Sequence, residues 1–134
     1  MNKFLGLLLL VPVLAFSHGK LVETIPAADS IVAATDSIVL RFNQDAKLIK
    51  FLVTSENGES LGTTFKGTTS KSEHTILVPN MLSGGFTVSW SVVGADGHIM
   101  TDSFTFKVSS VLTNAAAEQR IKRDADTFVD AIRL

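Results

Sequence analysis

Two segments of the chain alternate strictly between apolar and polar residues. In residues 85–92 the side chains of Phe86, Val88, Trp90 and Val92 would share one face, and residues 103–108 repeat the pattern. A period of two predicts strands with one buried face. Shorter alternating or apolar runs predict five more strands, at residues 20–25, 37–42, 48–53, 60–65 and 75–78.

About seven short strands separated by turn residues are typical of an all-β, Ig-like antiparallel β-sandwich. Asn57-Gly58 is a strong signal for a tight hairpin. Pro79 should end the strand before it, because proline has no amide hydrogen for a ladder. Trp90 is expected in the core. His74, beside Glu73, is expected at the surface.

The last part of the chain has a different period. Ile121, Ala125, Phe128 and Ile132 recur at helical spacing, and no glycine or proline follows Asn114. We therefore predict an amphipathic C-terminal α-helix at residues 112–134, with Thr113 or Asn114 as its N-cap. Its apolar stripe could pack on its own domain, fray in solution or dock a partner.

The first residues have the pattern of a secretory signal peptide. Lys3 precedes an apolar run at residues 4–16, and Ala15 and Ser17 provide small residues for a cleavage site. The run is shorter than the roughly 20 residues that span a bilayer, although an uncleaved anchor is the alternative. We predict a signal peptide at residues 1–17, a sandwich at 18–111 and no membrane span in the mature protein.

Composition narrows the function. The chain has no cysteine, which excludes thiolate metal sites, thiol catalysis and a disulfide framework. The formal net charge is −1, so no basic field attracts nucleic acid.

Three residues could form a metal site. Cleavage after Ser17 makes His18 the N-terminus, which offers its α-amine and imidazole nitrogens to one metal. Asp96-Gly97-His98 could add a carboxylate and a second imidazole from one loop. A tetragonal set of nitrogen and oxygen donors suits Cu(II), and zinc is possible by ligand type. His18 could also be an accident of the cleavage position, and Asp-Gly a simple turn.

Several segments resemble the copper-resistance CopC/PcoC family. They are the predicted mature start at residues 18–22, Pro26-Ala27, residues 38–42, the block at 86–98 that ends in Asp96-Gly97-His98, and the strand at 103–108. The resemblance covers residues 18–108, and the strand–DGH–strand block is its most specific part.

The resemblance implies a periplasmic Greek-key (cupredoxin-like) sandwich that binds one Cu(II) per chain through His18, Asp96 and His98. It implies sequestration or delivery of copper, with an inner-membrane copper transporter as a possible partner. This chain has Ile99 where the family often has proline, and Gln44 where an acidic residue is common. Gln44 can still hydrogen-bond near the metal.

Two other functions stay open at this point. One is a metal-free Ig-like interaction module. The other is a copper oxidase with a histidine brace, as in the lytic polysaccharide monooxygenases. The carboxylate of Asp96 argues against the oxidase because it would fill the position that oxygen needs, and we expect no enzyme activity. After cleavage only Met81 and Met100 remain, unclustered, so a thioether site for Cu(I) is not expected.

Overall fold

The described residues form seven strands followed by one helix. The all-β class and the C-terminal helix are as predicted, but the two-residue strand Ile31–Val32 is not, and one long strand replaces two of the predicted ones. The structure, a computed structural model, describes residues 19–67 and 69–133. The elements are β1 (Leu21–Ile25), β2 (Ile31–Val32), β3 (Thr35–Ser55), β4 (Ser60–Leu61), β5 (Ser70–Met81), β6 (Gly84–Gly94), β7 (Ile99–Val108) and α1 (Ser110–Ile132). All strand pairs are antiparallel except β2 with β7, which is parallel. The predicted signal peptide and His18 lie outside the described residues.

Strand β3 is a single bent strand of 21 residues, where the sequence predicts two. One of its edges pairs with β5 on both sides of the bend, because Arg41 lies opposite Glu73 and Ala46 opposite Lys71. Residues 42–45 of β3 therefore face only Ser72 of β5, so the extra residues bulge outward and bend the strand. This bulge consists of the polar residues Asn43, Gln44 and Asp45, whose sequence resembles that of a turn.

The other edge of β3 is shared by β1 and β6. Strand β1 pairs with β3 up to Phe42, opposite Leu21. Strand β6 takes over at Ala46, opposite Gly94. The start of β1 and the end of β6 therefore both lie at the bulge, at most about 13 Å apart along β3 at roughly 3.3 Å per residue.

The strands enclose one apolar core, which is formed by their inward-facing side chains. Trp90 is buried, as predicted, and its ring packs edge-on against Phe42 with centroids 5.3 Å apart. Trp90 Nε1 is buried and finds no hydrogen-bond acceptor among the described residues. The remaining core side chains come from every second position of four strands, and include Leu40, Leu48, Val53, Ile76, Val78, Val88, Val92 and Phe106.

His74 is buried, with 1% of its surface exposed, so the prediction of a surface residue is wrong. Its Nε2–H donates to the carbonyl of Ala46 over 2.9 Å, which bridges β5 to the far side of the bulge. Its ring also lies edge-on to Phe42. Burial lowers the pKa of His74, and the hydrogen bond to Ala46 opposes this only in part. The alternation of His74 with Ile76 and Val78 is the sequence signal for an inward position.

Two smaller predictions also need correction. Strand β5 continues past Pro79 to Met81, because Pro79 lies in a second bulge between Leu77 and Met81 where no ladder amide is required. The strand predicted at residues 60–65 is only two residues long, and Thr64 instead bonds to Leu77 from a loop. The hairpin turn at Asn57-Gly58 is present, with Gly58 at φ 84°.

Helix α1 begins at Ser110 and its N-cap is Ser109, whose hydroxyl accepts from the amide of Leu112. The prediction of Thr113 or Asn114 as the cap is wrong because Ser109 directly follows β7. The Thr113 hydroxyl instead accepts from the amide of Ala34, which ties the first turn to the sandwich. No residue of α1 is buried. Among the described residues, no helix is long and apolar enough to cross a membrane.

We predict that the stability of the copper-free protein falls as the pH drops from about 7 to about 5. The pKa of His74 in the folded protein is below the unfolded value of about 6.5. The contribution of His74 to the free energy of unfolding is therefore complete above pH 6.5. It is lost as the pH falls toward the pKa of His74 in the folded protein. Denaturant unfolding across this range measures the effect.

The matched variant is His74→Gln, whose amide can donate to Ala46 without titrating. It should be less stable at neutral pH but show a flatter pH dependence than the wild type. His98, whose pKa is raised, contributes with the opposite sign, and it is present in both proteins. Equal pH dependence in the two proteins would contradict the assignment to His74.

Candidate metal centre

A four-residue loop between β6 and β7 holds two of the predicted metal ligands. The amide of Gly94 donates to the carbonyl of His98, and the amide of Gly97 donates to the carbonyl of Gly94. Gly97 adopts φ 80°, a conformation that glycine reaches without strain. The chain therefore reverses within residues 95–98, and Asp96 and His98 project from the same side of the turn.

Asp96 and His98 contact each other directly. One Asp96 carboxylate oxygen accepts from the His98 amide over 3.0 Å, and the other lies 2.9 Å from His98 Nδ1. The His98 side chain is 76% exposed and that of Asp96 is 29% exposed. The hydrogen bond and the charge of Asp96 raise the pKa of His98. The sequence prediction that these two groups can point the same way is thus met by the geometry.

Gly94 is a residue of the candidate site that sequence reasoning missed. A Cβ atom at this position would lie 3.0 Å from Asp96 Oδ1, which is closer than an ordinary contact. The absence of a side chain at Gly94 therefore leaves room for the carboxylate to turn toward His98. No feature of the sequence distinguishes this glycine from one that simply ends a strand.

The first described residues lie beside this loop. The amide of Lys20 donates to Asn43 Oδ1 and its carbonyl accepts from the Asn43 amide, so the chain joins β3 at the bulge. A Cβ atom at Gly19 would lie 3.0 Å from the terminal methyl of Met100. Met100 is two residues beyond His98, which places Gly19 next to the loop that holds Asp96 and His98.

Gln44 lies in the bulge, between the position that pairs with Lys20 and the position that pairs with Gly94. It is half-buried. His18, the third predicted ligand, lies outside the described residues. Within residues 19–67 and 69–133, no three His, Asp or Glu side chains are grouped so that they could hold a metal. The described residues therefore contribute one carboxylate and one imidazole to the candidate centre.

The fold and the loop define the chain as a small β-sandwich that presents a hydrogen-bonded Asp–His pair at one end. Residues 21–109 match the CopC domain, which is more than half of the chain. The chain belongs to the CopC family of copper-resistance proteins.

Individual relatives agree with this assignment. Copper resistance protein C of Escherichia coli is 30% identical over 120 residues, which cover 77% of this chain and 90% of that protein. Protein YobA of E. coli K12 is 28% identical over 99 residues, covering 69% and 80%.

Two crystal structures have a similar fold. CopC from Methylosinus trichosporium OB3b superposes with a TM-score of 0.58 at 25% identity, covering 69% of this chain and 94% of that one. PcoC, a methionine-rich copper resistance protein from E. coli, gives 0.56 at 24% identity, covering 69% and 100%. These neighbours support the assignment of the β-sandwich.

We predict that Asp96→Asn lowers the pKa of His98 in the copper-free protein. The substitution removes the negative charge that favours the imidazolium, while the amide keeps a similar size. Titration of the His98 ring protons by NMR measures the pKa. Asp102→Asn, a nearby exposed carboxylate that bonds its own neighbour Ser103, should leave it unchanged. An identical His98 pKa in Asp96→Asn and the wild type would mean that the pair does not form in solution.

Proposed function

We propose that this protein is a periplasmic carrier that binds one Cu(II) per chain and sequesters it or delivers it. One observation supports this most directly. The start of β1 and the loop after β6 meet at the bulge of β3, so that Gly19 lies beside the loop of Asp96 and His98. Donors from the start of the domain and from the loop between β6 and β7 can therefore act on one ion.

The proposed ligands are His18, Asp96 and His98. His18 directly precedes Gly19, and consecutive Cα atoms are about 3.8 Å apart, which keeps it within reach of the loop. If export cleaves the chain after Ser17, His18 provides an amine and an imidazole, and the loop adds a second imidazole and a carboxylate. Three nitrogens and one oxygen favour tetragonal Cu(II), which also stands highest in affinity among divalent first-row metals.

In this proposal Asp96 has two roles. In the copper-free protein it pairs with His98 Nδ1 and holds the ring in place. When copper binds, His98 must present one unprotonated ring nitrogen, so the imidazolium that Asp96 favours has to lose one proton. Gln44, at the bulge between the two donor groups, is a candidate to hydrogen-bond a ligand and fix its orientation.

The same donors determine how copper can be released. Protonation of the imidazoles and the amine, reduction of the copper or competing ligands on an acceptor would each weaken the hold on Cu(II). An inner-membrane copper transporter is the acceptor that we propose. We propose no catalytic role, because the Asp96 carboxylate would occupy a coordination position that a redox enzyme keeps for oxygen.

We predict that the exported protein begins at His18 and binds Cu(II) with an axial electron paramagnetic resonance spectrum that shows nitrogen couplings. His98→Ala and Asp96→Ala should each weaken Cu(II) binding at least about tenfold, as expected for loss of a ligand. The matched control Asp102→Ala removes an exposed carboxylate of β7 and should change the affinity less than about twofold.

An N-terminally extended protein provides the second control. One extra residue before His18 converts its amine into an amide and should remove one nitrogen coupling. Mass spectrometry of the exported chain checks the cleavage position. Unchanged affinity in the extended protein would exclude the amine, and equal losses in Asp96→Ala and Asp102→Ala would place the site elsewhere.

We also predict that Gly94→Ala weakens Cu(II) binding by about tenfold, which is the usual loss when a residue that orients a metal ligand is changed. The added methyl group would lie 3.0 Å from Asp96 Oδ1 and displace the carboxylate. Gly62→Ala is the matched control, because nothing lies within 4 Å of the position of its Cβ. Titration with a competing chelator measures both affinities. Equal affinity in the two variants would show that copper does not depend on the position of Asp96.

A further inference from the structure

The thioether of Met100 lies next to Gly19, the first described residue. A Cβ atom at Gly19 would be 3.0 Å from the terminal methyl of Met100 and 3.9 Å from its sulfur. This contact joins β7 to the segment before β1, and Gly19 is the direct neighbour of His18 in the chain. The sulfur of Met100 is therefore close to the segment that carries one group of the proposed copper donors.

Met100 is also on the same face of the sheet as the other group of donors. It lies opposite Val92 of β6, which is buried, and it packs against the apolar core. The hydrogen bond from the Gly94 amide to the His98 carbonyl continues the pairing one position beyond β7. Because side chains alternate along a strand, His98 and Met100 project from one face, with Cα atoms about 7 Å apart at roughly 3.3 Å per residue.

The three side chains of this region differ in depth. His98 is exposed at the rim, Asp96 is less exposed, and Met100 is half-buried between this pair and the core. The thioether is thus the innermost polarizable group beneath the Asp96–His98 pair. An ion that is bound by His18 and His98 would have both the carboxylate and the thioether as neighbours.

These two neighbours suit different oxidation states of copper. A carboxylate is a hard ligand that Cu(I) binds poorly, whereas a thioether is a soft ligand that favours Cu(I). From the sequence we expected no thioether site, because Met81 and Met100 are not clustered. The fold keeps these two methionines apart, since Met81 pairs with Thr35, far from the bulge of β3. It places Met100 beside the proposed imidazole ligands instead.

We propose that the centre also binds Cu(I), and that Met100 is a ligand of Cu(I) in place of Asp96. His18 and His98 supply the two imidazoles in both oxidation states, and the third protein ligand depends on the ion: the carboxylate for Cu(II) and the thioether for Cu(I). This inference rests on the proposed function, because it takes both imidazoles from the proposed Cu(II) site. The protein can then accept copper in either oxidation state.

Titrations against a competing chelator test the two ligands separately, with Cu(I) added in the absence of oxygen. Met100→Leu keeps an apolar side chain of similar size against Gly19. It should weaken Cu(I) binding at least about tenfold, as loss of a ligand does, and change Cu(II) affinity less than about twofold, because a thioether is at most a weak axial ligand of Cu(II). Asp96→Asn should weaken Cu(II) binding and spare Cu(I) binding.

The matched control is Met81→Leu, which replaces a fully buried methionine of the core and should leave both affinities unchanged. Equal losses for the two ions in Met100→Leu would mean that Met100 only packs against Gly19. No loss of Cu(I) affinity would mean that its sulfur does not bind the ion. Either result would overturn the proposal.

NMR identifies the ligand directly, because a chain that begins at His18 contains only two methionines. Cu(I) is diamagnetic, so the methyl signals of both remain visible. Addition of Cu(I) should shift the methyl signal of Met100 and leave that of Met81 in place. A Met100 signal that does not move at saturating Cu(I) would overturn the proposal, even if Cu(I) binds to other groups.

Failure of the proposed function can be told apart from failure of this inference. If His98→Ala leaves Cu(II) affinity unchanged, the proposed Cu(II) site is wrong, and the Cu(I) site loses an imidazole with it. If His98→Ala weakens Cu(II) binding but Met100→Leu leaves Cu(I) affinity unchanged, the Cu(II) site stands and only the role of Met100 is wrong.

Discussion

The hydrogen bond from His74 Nε2 to the carbonyl of Ala46 joins two strands at the place where β3 bends. The bond lies in the core, where an unpaired carbonyl would be costly, and the ring of His74 also supports Phe42, which in turn packs on Trp90. The bend allows one edge of β3 to accept β1 before it and β6 after it. Without the bend, the start of β1 and the loop of Asp96 and His98 would not lie side by side.

The sequence predicted best where local pattern and tertiary contacts agree. The predicted inward positions of β6 are buried, although Ser91 between them is buried as well. Strands β6 and β7 both extend further than predicted because they pair up to the four-residue loop. The prediction failed where a long-range contact overrides local chemistry. Residues 43–45 are polar like a turn, yet β5 and β6 hold the chain on either side of them as one strand. Pro79 resembles a strand end, but the bulge beside it needs no amide.

In the candidate centre, too, local features could be predicted from the sequence and long-range contacts could not. Asp96, Gly97 and His98 are adjacent, so their geometry follows from a tight turn and could be predicted from sequence. The position of Gly19 beside Met100 depends on two strands that share an edge of a third, and no local pattern encodes this. The tight contact of Gly94 with Asp96 is likewise visible only once both backbones are placed.

More than seventy residues separate Lys20 from Gly94, and only β3 brings them together. In the unfolded chain these residues are not neighbours, because closing a loop of that length costs entropy that only the folded core offsets. If His18 and the Asp96–His98 loop bind copper as proposed, strong chelation requires the folded sandwich and cannot precede it. Metal bound at such a site would favour the native state over the unfolded one, so a loaded molecule would resist unfolding and proteolysis better than an empty one.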